Sequence, residues 1–238
     1  MSTALNRLGA LEAARKLQRR ELTAVQLVRA CFARIEQREN TIHAWTALQK
    51  QAALDHAEAL DRGALRGPLH GLPLGVKDLF DTVDLPTRYG SPIYERHHPG
   101  LDAAAVALCR HAGAIVIGKT VTTEFATYQA GPTRNPRNEA YTPGGSSSGS
   151  AAAVADDMVP FALGSQTCLL YTSRPAPAHL RHGRGAGAPA CVVFRGQADA
   201  RHRRGRHRPL QGGLTPLASA WPSPAARPAP RTPAPRRG

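Results

Sequence analysis

The chain has 238 residues and a formal charge of +14, and that charge is unevenly spread. Residues 1–167 hold 18 Lys and Arg against 16 Asp and Glu, whereas residues 168–238 hold 13 Arg, no Lys and a single acid, Asp199. The last stretch also carries 11 of the 20 prolines and only nine Leu, Ile, Val, Met or Phe; this is too little to bury a core, so one uniformly basic globular protein is excluded.

Two regions are therefore expected: a domain over 1–167 and an Arg/Pro/Gly-rich tail over 168–238, disordered or only loosely packed after residue 173. No run of 18 apolar residues offers a membrane span. Met1-Ser-Thr-Ala-Leu-Asn-Arg7 lacks the apolar segment of a secretory signal. Four cysteines at 31, 109, 168 and 191 fit neither a zinc site nor a disulfide framework. The expected setting is the cytoplasm, with free thiols.

In chain order, Thr23 followed by Gln26 reads as a capping box. Behind it Val28, Cys31, Phe32 and Ile35 repeat at helical spacing. A second helix is expected over Lys50–Leu60, stopping at Gly63. Gly71-Leu-Pro-Leu-Gly-Val-Lys77 gives a short apolar strand. Residues 102–112 read as a helix closed by Gly113, and Ala114-Ile-Val-Ile117 as a fully buried strand. A loop rich in Pro, Asn and Gly spans about 131–149. Ala151–Ala155 opens a helix, and Val159-Pro-Phe-Ala-Leu163 a further strand. Helices alternating with apolar strands predict an α/β fold, a mixed sheet buried between helices.

Gly113-Ala-Ile-Val-Ile-Gly118-Lys119-Thr120 matches the phosphate-loop pattern letter for letter. Such a loop needs a strand before its first glycine and flexible residues between the two. Here helix precedes and strand intervenes, so nucleotide binding is rejected and Lys119 reads as a strand-end lysine. His97, His98 and His111, with Glu95 and Cys109 nearby, match no metal-ligand spacing and read as solvated loop residues.

The informative stretch is Pro143-Gly-Gly-Ser-Ser-Ser-Gly-Ser-Ala-Ala-Ala-Val-Ala155. A Gly/Ser linker is the plain alternative. This run leads straight into a helix start, where glycines and small hydroxyl residues suit close backbone approach and anion or oxyanion binding.

Gly75-Val-Lys77-Asp78, then Gly144-Gly145-Ser146-Ser147-Ser148-Gly149-Ser150, then Ala162-Leu-Gly164-Ser-Gln-Thr167 resemble, in order, the amidase signature family. Ala114-Ile-Val-Ile-Gly-Lys-Thr-Val-Thr-Thr-Glu124-Phe125 and Asn135-Pro136 match its connecting segments, and the resemblance covers roughly residues 5–167. It implies hydrolysis of a small carboxamide through an acyl-enzyme by a Ser–cis-Ser–Lys triad, with no cofactor and no metal. Lys77 takes the place of the family's lysine and Ser146 that of its bridging serine. Gly144, Gly145 and Thr167 take substrate- or oxyanion-binding places. A lysine among Leu74, Val76 and Leu79 has its charged form disfavoured and can take a proton through Ser146 from a nucleophile.

The resemblance breaks at the nucleophile, whose position falls on Leu170, with no proton to lose. Leu169 and Leu170 also replace the small residues that supply oxyanion N–H groups. Cys168 lies two residues early and Ser173 three late. Asp156-Asp157, where small residues are usual, is a lesser departure. The break coincides with the change of composition. Gln197-Ala-Asp-Ala-Arg-His-Arg203 can be encoded as CAAGCCGACGCACGGCACCGT, which one base later reads Lys-Pro-Thr-His-Gly-Thr, a family-like segment. Cys168-Leu-Leu-Tyr-Thr-Ser173 is what TGTCTCTTATACACATCT encodes, a string resembling a transposon-end adapter.

Three functions stay open: an amidase that has lost its nucleophile; a glutamine-hydrolysing A subunit of an aminoacyl-tRNA amidotransferase, with its partner subunits; and non-specific nucleic-acid binding by the Arg-rich tail. The tail lacks the aromatic interleaving suited to base stacking. The missing C-terminal strands are expected to leave an open sheet edge.

Overall fold

The computed structural model describes residues 4–165 and the backbone of one further strand, Ala190–Phe194. The chain divides into two units, Met1–Ala198 and Asp199–Gly238, the second lying outside the described residues. In order the elements are α1 (Ala10–Gln18), α2 (Ala24–Ile42), β1 (Trp45–Leu48), α3 (Lys50–Arg62), β2 (Pro73–Lys77), α4 (Ala104–His111), β3 (Ile115–Thr120), α5 (Ser148–Ala155), β4 (Phe161–Ser165) and β5 (Ala190–Phe194). Among the described residues no helix is long and apolar enough to cross a membrane.

The sheet runs β1-β3-β2-β4-β5, with β3, β2 and β4 parallel and the outer strands antiparallel to their neighbours. Every residue of β2, β3 and β4 is buried, which requires cover on both faces. The fold is the expected mixed, buried sheet flanked by helices.

The capping box at the start of α2 is present: Thr23 Oγ1 accepts from Gln26 N at 3.1 Å, and Gln26 Oε1 from Thr23 N at 3.0 Å. The buried face of α2 includes Val28, Cys31, Phe32 and Ile35, as the spacing predicts, together with Leu27 and Ile42. The helix ends at His43, which adopts φ +53, while the Glu39 carboxylate caps the turn by accepting from Ala44 N and Trp45 N. Helix α3 has Gly63 as its C-cap.

Besides shifts of one to three residues at other element ends, three differences from the sequence expectation have a physical reason. Helix α5 begins at Ser148 rather than Ala151, because tertiary contacts override the poor helix propensity of Gly and Ser. A Cβ on Gly149 would collide with Ala44 O and Val121 N, and Ser150 Oγ donates to Leu163 O at 2.8 Å. Strand β4 begins after Pro160, which has no N–H to give. Finally, Ala190–Phe194 lies in the stretch expected to be disordered, yet it forms β5 and pairs along the whole of β4, from Phe161↔Phe194 to Ser165↔Ala190. The run contains the tail's only two valines, Val192 and Val193, and β-branched residues suit a strand. Strand β4 is therefore paired on both sides, and β5 is the outer strand of the described sheet. The rest of the expected tail lies outside the described residues.

The Asp156 departure has a compensating partner set. Arg34 Nε donates to Asp156 O at 2.8 Å and its terminal nitrogen to Oδ1 at 2.9 Å, while Arg38 Nε reaches Oδ2 at 3.2 Å. Two arginines of α2 thus clasp the C-terminal end of α5.

Candidate active site

Lys77 is the last residue of β2 and is wholly buried. Pairing in a parallel sheet puts Lys77 beside Thr120 of β3, and Val76 beside Leu163 of β4. Alternation along β2 and β3 then sends Lys77 and Thr120 to one face and Lys119 to the other. On the first face Thr120 Oγ1 meets Ser150 Oγ of α5 at 2.7 Å.

The turn before α5 carries Ser146 to the lysine. Gly144 adopts φ +87, a conformation that L side chains rarely take, and the Gly145–Ser146 peptide bond is cis. Thr123 N donates to Ser146 O at 3.0 Å, anchoring the turn to the segment after β3. Lys77 Nζ then donates to Ser146 Oγ at 2.6 Å and to Ser165 Oγ, at the end of β4, at 2.7 Å. Burial pulls the Lys77 amine down from its ordinary 10.5 to about 8. Burial thus favours the neutral amine. A neutral amine on a hydroxyl can accept that hydroxyl's proton, so the contact is chemically able to pass one.

The expected residues thus divide. Lys77 and Ser146 are brought into direct contact, and Gly144 and Gly145 shape the turn that presents Ser146. Thr167 and Leu170, with Cys168 and Ser173, lie outside the described residues. Ser165 stands out in the sequence only as one letter of a motif. Its contact with Lys77 follows from the register of β2 on β4, which no spacing within the sequence states.

The other lysine lies next to last in β3, the strand-end place expected of it. Lys119 is not merely placed near the end of β3; it is wholly buried and ion-paired with Asp78 Oδ1 at 3.0 Å. Its Nζ also donates to Thr87 Oγ1 at 2.6 Å, Phe80 O at 2.9 Å and Pro86 O at 3.3 Å. Burial pulls Lys119 down and Asp78 up, each opposed by the attraction between them. An amine committed in this way is not available to phosphate, in keeping with the rejected phosphate loop. Of the histidines, His98 and His111 are exposed. His97 is half-buried and stacks on Tyr89 at 5.8 Å, not the solvated residue expected. Among the described residues no group of three or more His, Cys, Asp or Glu is placed to hold a metal ion.

Fold and site together define an α/β protein with a buried lysine on a serine at a Gly/Ser-rich helix start. The Amidase family model matches residues 26–168. The chain belongs to that family. It is 41% identical over 172 residues to the A subunit of the glutamyl-tRNA(Gln) amidotransferase of Mycobacterium leprae (strain TN), covering 68% of this chain and 35% of the relative. To the corresponding protein of Streptomyces coelicolor (strain ATCC BAA-471 / A3(2) / M145) it is 40% identical over 171 residues, covering 68% and 34%. Among solved structures it resembles the native peptide amidase of Stenotrophomonas maltophilia, at 34% identity and TM-score 0.63, covering 67% of this chain and 36% of that one. A fatty acid amide hydrolase superposes at 27% identity and TM-score 0.64, covering 69% and 31%. The chain spans about a third of the length of the relatives it matches.

Proposed function

We propose that this chain carries the lysine and bridging serine of a carboxamide C–N hydrolase but lacks its nucleophile. In this reading neutral Lys77 accepts the Ser146 proton while Ser146 takes one from a nucleophilic serine. That serine then attacks the carboxamide carbon, and the proton is returned to the departing ammonia or amine. Position 170 would hold the nucleophile and is Leu, so the chain as written does not turn over. The observation that carries the reading is the 2.6 Å contact of Lys77 Nζ with Ser146 Oγ. Residues 168–238 are read as out of frame with the family sequence, in a cytoplasmic enzyme needing no cofactor. Replacing everything after Thr167 with an in-frame family continuation should restore amide hydrolysis, and Lys77→Ala should abolish it again. A native reading frame through 168–238 in the gene's own DNA would refute the second part.

The relatives named as A subunits of glutamyl-tRNA(Gln) amidotransferases favour a second reading. There the amide is glutamine and the ammonia passes to partner subunits. Ammonia release by the restored protein from glutamine, set against simple aliphatic and aryl amides, separates the two.

A further inference from the structure

We infer that Ser165 is a positioning residue for Lys77: its hydroxyl and that of Ser146 hold the amine between them, aimed at the bridging serine. A lysine side chain has four rotatable bonds and substantial conformational freedom. One hydrogen bond leaves Nζ free to swing about its acceptor; two, at 2.6 and 2.7 Å, fix it. Ser165 is itself held. Its N–H donates to Ser147 Oγ at 3.1 Å, and Ser147 Oγ donates to Ser165 O at 3.1 Å. Consecutive serines therefore serve the two ends of one arrangement, Ser146 binding the amine and Ser147 fixing the residue that binds it from the other side. Ser165 is 8% exposed, so little water competes for its hydroxyl.

The use of that aim rests on the proposed function. When Lys77 is neutral, an N–H given to Ser165 leaves the nitrogen lone pair free to face Ser146. The Ser146 O–H bond breaks, an N–H bond forms, and the oxygen left behind takes the nucleophile's proton. Without Ser165 the lone pair has no preferred direction.

The chain contains four lysines, at 16, 50, 77 and 119, so Lys77 can be followed in the full-length protein by NMR of labelled lysine and assigned by its loss in Lys77→Arg. Ser165→Ala removes an acceptor from the ammonium form, and the Lys77 titration midpoint should fall by about half to one pH unit. Ser165→Thr, which keeps the hydroxyl, should restore it. Ser165→Cys, a near-isosteric weak acceptor, should move it the same way as Ala and serves where Ala does not fold. A Lys77 midpoint that stays put in Ser165→Ala or Ser165→Cys, even with a lowered melting temperature, would overturn the inference and leave the proposed function standing. A Lys77 titrating at an ordinary lysine value in the unmodified chain would overturn both.

Discussion

Asp78 and Lys119 form an ion pair 3.0 Å apart with neither side chain exposed to solvent. Asp78 is the residue after Lys77, and its Oδ2 also accepts from Arg88 N at 3.2 Å. The pair thus fixes the chain where it leaves β2, while Lys119 ties down Phe80, Pro86 and Thr87 of the following loop. Lys77 and Lys119 thus lie on adjacent strands and face opposite ways.

Breaking one side of such a pair leaves an uncompensated buried charge. Lys119→Met should therefore cost about 3–5 kcal/mol in urea unfolding. The double change Asp78→Leu with Lys119→Met should recover part of that loss, since the stranded carboxylate is gone. A cost below about 1 kcal/mol for the single change would contradict the burial of the pair.

Lys77 makes the protein's stability depend on pH in a stated direction. Folded, its value is near 8; unfolded, it returns to 10.5. Between these the unfolded chain binds more protons, so stability rises with pH there, and the penalty of burying the ammonium is fully present below pH 8. Lys77→Met removes this titration, so its stability relative to the parent protein should fall as pH rises from 8 to 10.5. A relative stability that grows over that range would reverse the assignment.

Gly149 offers a test of opposite sign to local propensity. In an open helix Gly→Ala gains about 1 kcal/mol. In α5 a Cβ at this position meets backbone atoms of Ala44 and Val121, and backbone cannot swing aside. Gly149→Ala should destabilise by about 1–3 kcal/mol, read from the thermal midpoint. A stabilised variant would mean that α5 does not lie this close to the segments flanking β1 and β3.

Legibility follows local chemistry. The Thr23–Gln26 box, the apolar face of α2 and the buried runs of β2 and β3 are written in residues close together, and each lies where its pattern predicts. Helix α1 escapes sequence reasoning because its buried face is mostly alanine, Ala10, Ala13 and Ala14 with Leu17, which gives little apolar contrast. Strand β1 escapes it because four residues with a single buried one, Trp45, at a shifted register leave no alternation to read. In the site, Lys77 and Ser146 are legible through ordered motifs resembling a family. Ser165 and the Asp78–Lys119 pair are not, because each depends on which strand lies beside which.

A minimal repair should fail. Cys168→Gly, Leu169→Gly and Leu170→Ser together restore family-like residues at the nucleophile segment, but the chain still spans only about a third of its relatives. Ammonia release by this triple variant should stay at the level of the uncatalysed reaction. Turnover by it would show that the remaining two-thirds of the relatives' length is dispensable for the chemistry.

The most direct measurement is ammonia release from glutamine and from simple aliphatic and aryl amides by three proteins: the chain as written, the chain with an in-frame family continuation after Thr167, and that restored protein carrying Lys77→Ala. The first should show no turnover, the second should turn over, and the third should lose activity on the order of a thousandfold or more, as for residues that act as a unit. Turnover by the chain as written, or a restored enzyme indifferent to Lys77→Ala, would contradict this.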